Sequence, residues 1–507
     1  MSRKSPSLVE YFAEREKHKC GYCKSPDTNC SHGMWAYTLK VQDYQDLIDR
    51  GWRRSGNYCY KPIMDQTCCP MYTIKCEALD FKISKSQKKL MKRMSKFLKG
   101  ELKKNDTALC DEFVQDDSDS RLMEVQNCAE QVERARNNAT NIDVSLIADT
   151  LDLRLPSPTN STNSQSITES SYSAAKVKHD TNLTPMSSTS KDYKSGMGVD
   201  QSKPPPKKAK IIRLERKQNK LLSMGKSTTE INEILNQGKS IAVGKTLEEL
   251  FNEENVGQKK LEIKLVSISS EEFLDTFELS VNLYKKYQMA VHKELPEECD
   301  KDSFTEFLCK SPLQEWVPAD GPPQGYGSFH QQYWLNNQLI AVGVIDILPS
   351  CISSVYFFYD PIYSHISLGT YGSLREVMLT RQLNKLVPNL KYYYMGFYIH
   401  TCLKMRYKAG LRPSKLLCPE TYVWCDIENC LPKLDKEKYS RLNEDLDAID
   451  QNLSNDITQV SVCYNRKIIP YHIYKKQAYS SADEDEIREY SHLVGTRCAR
   501  NLALYRR

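Results

Sequence analysis

Four cysteines near the start of the chain stand at spacings that suit a metal. Cys20 and Cys23 form a C-x-x-C knuckle around Gly21 and Tyr22, and Cys68-Cys69 stand directly before Pro70. Soft thiolates hold Zn or an iron-sulfur cluster, and a knuckle turn lets two sulfurs converge on one centre. A second set competes, because Cys20, Cys23, Cys30 and His32 have the short spacing of zinc modules and adjacent cysteines must both turn toward a shared metal. A different chemistry is written between Ser84 and Gly100. The run SKSQKKLMKRMSKFLKG sets Leu90, Met94, Phe97 and Leu98 at helical spacing and covers the rest with Lys85, Lys88, Lys89, Lys92, Arg93, Lys96 and Lys99. A merely solvated face mixes signs, whereas this one has no acidic residue, so it reads as a contact for a polyanion. Tryptophan is missing from its apolar face, which favours nucleic acid over a membrane surface.

These residues need a frame. The 507 residues are 40% hydrophobic and 27% charged, enough for two or three domains with real cores. A net charge of +6, from 71 basic and 65 acidic residues, leans only weakly toward anionic partners. Eighteen cysteines would suit a secreted protein, but Met1 to Glu10 has no apolar signal core and no run reaches membrane-spanning length. The expectation is a reducing, cytoplasmic compartment and no membrane partner. Residues 1–103 read as a Cys-rich domain carrying the basic helix. Residues 104–205 read as a mostly disordered linker, with one helix near Arg121 to Arg136 and a low-complexity tract from Ser157 to Ser202. Residues 206–260 form a basic, helical connector, and the run Lys203 to Lys220 reads as a nuclear import signal, an RNA contact or a solvated linker.

From Leu261 the pattern becomes regular. A strand over Leu261 to Ile268 leads to a helix opened by Ser269 with Glu272, and a second capping box pairs Ser303 with Glu306. Three antiparallel strands follow, Phe329 to Leu335, Leu339 to Leu348 and Ile352 to Tyr359, with a turn at Asn336-Asn337-Gln338. Then come a helix (Leu368 to Leu386), a strand (Tyr392 to Phe397), a helix (His400 to Lys408) and a strand around Lys415 to Trp424. The fold class expected is α+β: a metal-binding N-terminal domain, then a GNAT-like catalytic domain over 261–430 with a largely antiparallel sheet. Residues 431–507 form an extension packing on that core.

Several strings coincide in order: Cys20-Gly21-Tyr22-Cys23, His32 to Ala36 (HGMWA), Asp43 to Gly56 (DYQDLIDRGWRRSG), Thr67 to Pro70 (TCCP), Ser328 to Trp334 (SFHQQYW), Ala341 to Pro349 (AVGVIDILP) and Tyr394 to Tyr407 (YMGFYIHTCLKMRY). Together these strings resemble the eukaryotic arginyl-tRNA-protein transferases. The resemblance implies transfer of arginine from arginyl-tRNA to proteins exposing N-terminal Asp, Glu or oxidised Cys, which promotes their ubiquitin-dependent degradation. It also implies that Cys20, Cys23, Cys68 and Cys69 bind an iron-sulfur cluster or zinc, and that the basic helix meets tRNA phosphates with salt-dependent affinity.

An aminoacyl ester is already activated, so the chemistry implied is to hold a neutral amine against the carbonyl and stabilise the oxyanion, with no covalent nucleophile. His330, Asp346, Asp360 and His400 are the candidate catalytic groups. Asp346 or Asp360 could also clamp the donor guanidinium, against plain readings as a strand-end contact and an Asp-Pro turn. An acidic acceptor needs a cationic pocket, for which His330, Lys404, Arg406, Arg53 and Arg54 are the candidates. The enzyme is expected to act as a monomer. Two rivals remain, an acetyl-CoA-dependent acetyltransferase and a non-catalytic metal-containing RNA-binding protein. The turn Ser367-Leu368-Gly369-Thr370-Tyr371-Gly372 lacks the leading Arg or Gln of a pyrophosphate cradle and sets its second glycine one place late, which argues against acetyl-CoA.

Overall fold

The computed structural model describes residues 5–13, 17–102, 132–147, 209–224, 227, 230, 245–253, 257–478 and 483–507. Two compact units divide the chain, residues 1–154 with 245–507, and residues 155–244. In the second, Ala209–Ser223 is helical and covers part of the basic run Lys203 to Lys220. The tract Ser157 to Ser202 lies outside the described residues. So does much of the helix expected near Arg121 to Arg136, of which residues 132–138 are helical.

In the larger unit the Cys-rich, aromatic end forms strands β1 (Ser7–Phe12), β2 (Lys17–His18), β3 (Asn29–Thr38), β4 (Arg53–Ser55) and β5 (Tyr58–Pro62). The β4–β5 hairpin closes through Gly56 at φ +56°, a left-handed turn that costs glycine little. The next strand, β6 (Tyr72–Glu77), leaves this sheet. It joins β7 (Leu261–Ser267), β8 (Gly327–Leu335), β9 (Gln338–Ile347), β10 (Cys351–Tyr359), β11 (Tyr392–Tyr398), β12 (Ser414–Leu417) and β13 (Trp424–Asp426). Their order is β13-β12-β6-β11-β10-β9-β8-β7. The chain's other end returns the exchange: β14 (Ser461–Tyr464), β15 (Lys467–Pro470) and β16 (Leu502–Tyr505) extend the first sheet through a parallel β16–β1 pair. A β-pattern marks a strand and says nothing about which sheet it enters, so the exchange leaves no local mark.

Helices α1 (Val41–Ile48), α2 (Lys85–Leu98), α3 (Glu271–Tyr287), α4 (Leu368–Asn384) and α5 (Ile427–Leu434) position the rest. In the second sheet β10 and β11 are parallel and the other pairings antiparallel, with α4 as the crossover. Helix α4 lies close because Gly372 faces the Phe357 ring, where a Cβ would collide. The core there holds Val342, Val344, Phe357, Tyr371, Leu374 and Tyr393. Asn336 and Asn337, at φ +47° and +66°, make the tight β8–β9 turn read from their sequence.

Some local expectations shift. Ser270 rather than Ser269 caps α3, accepting from Phe273 N at 3.2 Å, while Ser269 turns to Glu315. Asp300 caps the turn expected to start at Ser303, and Glu306 instead pairs with Lys310 at 2.6 Å. The single strand expected around Lys415 to Trp424 is a hairpin, β12 and β13, reversed through Tyr422 at φ +54°. The expected His400 to Lys408 helix is a tighter 3₁₀ stretch, Leu403–Gly410.

Candidate active site

The ladder between β10 and β11 begins at Cys351–Tyr392 and ends at Ser353–Tyr394. Just beyond, β10 carries a bulge against β9, since Ser354 opposes Ile345 and Tyr356 opposes Val344, leaving Val355 without a cross-strand partner on β9. Strand β11 breaks register with β6 between Tyr394 and Phe397, around Gly396 at φ +69°. The two strands part around a narrow cleft of about 20 Å³ whose lining includes Ser354, Tyr356, Ser373, Tyr393, Tyr407 and Lys408. Behind it the buried Glu376 of α4 accepts from the Tyr393 hydroxyl at 2.6 Å, and the buried Lys408 donates to Phe397 O at 2.7 Å.

The candidates read from sequence fall into separate groups. Arg54 and Asp346 meet each other: Nε and Nη2 donate to the two carboxylate oxygens at 2.8 and 2.5 Å. Both side chains are buried, 3% and 0% exposed, and Ser328 Oγ also donates to Asp346 at 2.7 Å. This ion pair ties β4 of one sheet to β9 of the other. His330 lies in the same region, wholly buried, with Nε2 3.1 Å from Leu308 O. Burial holds its imidazole down to about 4, with the Leu308 hydrogen bond opposing. Asp360 stands elsewhere, capping Ile362 N at 3.2 Å and pairing with Lys286 at 3.4 Å.

A third group gathers at the end of β11. Arg53 Nη2 reaches Gly396 O at 3.5 Å, and its guanidinium lies 5.3 Å from the Phe397 ring centre. His400 sits between the Tyr398 hydroxyl (2.8 Å to Nδ1) and Asp435 (2.8 Å from Nε2), while Arg406 Nε donates to His400 O at 3.0 Å. Burial pushes the Tyr398 phenol up to about 12. The Lys404 side chain lies outside those the structure describes.

Cys20, Cys23, Cys68 and Cys69 come together, with all four sulfurs within 4.8 Å of one another. Among the described residues this is the group placed to hold a metal ion; Cys30 is not part of it, and His32 Nδ1 is 3.2 Å from the Tyr11 hydroxyl. Backbone bonds build the site: Lys24 N to Cys20 O at 2.9 Å shapes the knuckle, and Cys68 N to Thr28 O at 3.0 Å brings the second pair to it. The sulfurs compete for charge. Hydrogen bonding from Cys69 draws Cys20 down to about 4 against burial; at Cys23 burial pulls upward but Ser25 and Cys68 bring it down. Burial pushes Cys68 up to about 11, and Cys69 rises through its bond to Cys20 and burial. One thiolate therefore suppresses the next, and four ionise together only around a cation. Around Zn, sulfurs at ~2.3 Å from the metal lie about 3.8 Å apart, so the cluster fits. It packs directly on β11, since Cys20 and Cys69 share an apolar cluster with Met71, Phe397, Ile399 and Met405.

The basic helix is α2. Ser84 and Gln87 cap it reciprocally, with Ser84 Oγ accepting from Gln87 N at 3.2 Å and Ser84 N donating to Gln87 Oε1 at 2.8 Å. Leu90, Met91, Met94, Phe97 and Leu98 are buried. Lys85, Lys89, Lys92 and Lys96 form an exposed stripe, with Lys88, Arg93 and Lys99 half-buried at its margins. Phe97 packs edge-on against Tyr363 and His365, which docks the buried face of α2 on the segment leading into α4. Glu376, Tyr393 and Lys408 were not found from sequence. A glutamate on the apolar face of a helix was the one available signal.

Two family models match the chain: "Arginine-tRNA-protein transferase, N terminus" over residues 18–89 and "Arginine-tRNA-protein transferase, C terminus" over residues 279–418. The arginyl-tRNA–protein transferase 1 of Drosophila melanogaster is 43% identical over 505 residues, covering 98% of this chain and 99% of the fly protein. The arginyl-tRNA–protein transferase 2 of Arabidopsis thaliana is 37% identical over 475 residues, covering 85% of this chain and 76% of its own. A shorter likeness, 36% over 85 residues, links 17% of this chain to 34% of an aspartate/glutamate leucyltransferase of Campylobacter jejuni.

Proposed function

The chain belongs to the arginyl-tRNA–protein transferase family, and from that premise we propose how its residues move arginine from arginyl-tRNA to protein. The acceptors are proteins beginning with Asp, Glu or oxidised Cys, and arginylation promotes their ubiquitin-dependent degradation. The observation that carries the reading is the parting of β10 and β11, with the cationic α2 docked on the segment that leads into α4. A bulged central strand, a helical crossover and a parallel strand that diverges after three pairs support a GNAT-like catalytic fold. The cleft then takes an aminoacyl ester where a relative of that fold would take an acyl thioester.

The tRNA phosphates lie along Lys85, Lys88, Lys89, Lys92, Arg93, Lys96 and Lys99, and its aminoacylated end enters past Ser367. The acceptor nitrogen attacks the ester carbonyl, the C–O bond to the terminal ribose breaks, and the amine's proton passes to the ribose oxygen. Backbone groups freed by the Val355 bulge face the developing oxyanion. Tyr398 and His400 carry the proton: the amine gives it to the phenolic oxygen as the phenol's own proton moves to His400 Nδ1, with Asp435 holding Nε2–H, and the reverse shift delivers a proton from the phenol to the departing ribose oxygen. Glu376 and Tyr393 fix the cleft wall. Arg53, Arg406 and Lys404 supply positive charge on the acceptor side, while Arg54, Asp346 and His330 hold the two sheets together beneath.

Zn or an iron-sulfur cluster bound by Cys20, Cys23, Cys68 and Cys69 would neutralise the thiolates and link the knuckle to the start of β6. Among the described residues no helix is long and apolar enough to cross a membrane. The enzyme acts as a monomer in the cytoplasm, and the basic run Lys203 to Lys220 would give it a nuclear share. Mass spectrometry of an Asp-initiated peptide incubated with arginyl-tRNA or with acetyl-CoA tests the reading. Gain of one arginine residue with the first alone supports it; acetylation, or no product, overturns it. Tyr398→Phe should lower kcat roughly 10²-fold with little change in either KM.

A further inference from the structure

A lysine inside a protein needs a reason, and among the described residues Lys61 of β5 has no acidic partner to supply one. The residue is 8% exposed. The ammonium donates to the Tyr422 hydroxyl at 2.6 Å and to Leu493 O at 3.3 Å, and lies 4.4 Å from the Tyr422 ring centre. Those are neutral partners; among the described residues no carboxylate forms an ion pair with it. The nearest cation, Arg50, stands 4.1 Å from the same ring and binds Asp450 in two places, at 3.1 and 2.7 Å, so the one nearby acid is already engaged. Burial pushes the Lys61 ammonium well below the ordinary lysine range; Arg50 lowers it further, and Asp450 opposes them. The group thus carries an unmet demand for an anion.

The space for one is present. Arg50 and Lys61 line a small pocket of about 30 Å³, open on one side, whose walls include Met64, Met71, Thr73 and Leu417. It opens between the two sheets, and its position relates it to the cleft: Tyr72 and Thr73 on its wall are ladder partners of Tyr398 and Phe397. Met71 belongs to the apolar cluster that seats Cys20 and Cys69 on β11. A largely apolar socket whose buried amine has no counter-ion among the described residues discriminates by charge, because an arriving carboxylate restores the proton that burial disfavours and a neutral side chain of the same shape does not.

We propose that this pocket receives the anionic first side chain of the acceptor protein, with Lys61 as the residue that meets its carboxylate. The proposal rests on the arginyl-transfer reading and deepens it by assigning acceptor specificity to a residue outside the Arg53, Arg406 and Lys404 group. The sulfinate or sulfonate of an oxidised cysteine presents the same chemistry.

The test uses the full chain and two labelled peptides that differ only in beginning with Asp or Asn. Their binding is measured by fluorescence anisotropy, and their KM is measured beside that for arginyl-tRNA. The wild-type chain should prefer the Asp peptide roughly 10- to 100-fold. Lys61→Met should abolish that preference and raise the Asp-peptide KM while leaving the arginyl-tRNA KM unchanged, and Lys61→Arg should restore part of it. Met64→Glu, which places a carboxylate on the wall and leaves Lys61 in place, should also abolish the preference, and it carries the test if Lys61→Met unfolds. An Asp-to-Asn ratio that survives both variants overturns the proposal. A chain that transfers no arginine would defeat the functional reading instead, and the anisotropy ratio would still decide the pocket.

Discussion

Replacing Arg54 by methionine keeps most of the side-chain volume and removes the charge, leaving the Asp346 carboxylate sealed between two sheets with the Ser328 hydroxyl for company. Breaking one half of a buried ion pair costs about 3–5 kcal/mol, because the remaining charge is neither hydrated nor paired. Asp346→Leu should cost a similar amount by stranding the guanidinium. Making both changes removes the charges together, and Ser311 and Ser328, 2.7 Å apart, keep each other as partners. The double variant should therefore be more stable than the two single losses predict, by roughly 3 kcal/mol or more. Thermal and guanidinium unfolding of the four proteins would close the cycle, with arginine transfer measured on the folded fraction. Single losses that add to within about 0.5 kcal/mol would refute the pairing argument. Singles that stay fully folded yet lose activity through acceptor KM would return both residues to substrate binding.

Other expectations follow from the same geometry. His330 is held neutral by burial down to about 4. Between the ordinary histidine value near ~6.5 and 4 the unfolded chain therefore binds a proton that the folded one refuses. Stability should be complete above that window and fall by roughly 3 kcal/mol as pH drops through it; unfolding of His330→Gln against pH should lack this component, and an identical profile would contradict it. Cys23→Ser or Cys69→Ser should lower metal content and the melting temperature together, since an incomplete ligand set undoes the packing on Phe397 and Ile399; unchanged metal stoichiometry in both would dismiss the site. Reversing Lys85, Lys89, Lys92 and Lys96 to glutamate should weaken tRNA binding and flatten its salt dependence without moving the melting temperature much, because the stripe is exposed. An unaltered salt slope would remove α2 from the tRNA path.

Much of this was legible where periodicity and turn chemistry are local. The α2 face, the Asn336-Asn337 hairpin and the three strands around it follow from spacing alone, and the cysteine set agreed with the family strings that contain it. What escaped was pairing at long range. Tyr72–Glu77 is not read as a strand from the sequence, and its insertion between β11 and β12 depends on partners more than 300 positions away. Arg54 and Asp346 were each readable as charged groups near chemistry; that they satisfy one another could not be, since 292 residues separate them. Ser269 lost the α3 cap to Ser270 because Glu315, from a distant loop, claimed its hydroxyl. Lys61 looks like an ordinary surface charge in sequence, and only burial gives it meaning.

The most direct test of the account is transfer of labelled arginine from charged tRNA, by the pure full-length chain, to paired peptides beginning with Asp or Ala at two salt concentrations. Transfer to the Asp peptide alone, weakened as salt rises, is the result expected from a cationic tRNA path and an anion-seeking acceptor site. Equal transfer to both peptides, or none from a chain with its metal content intact, would contradict it.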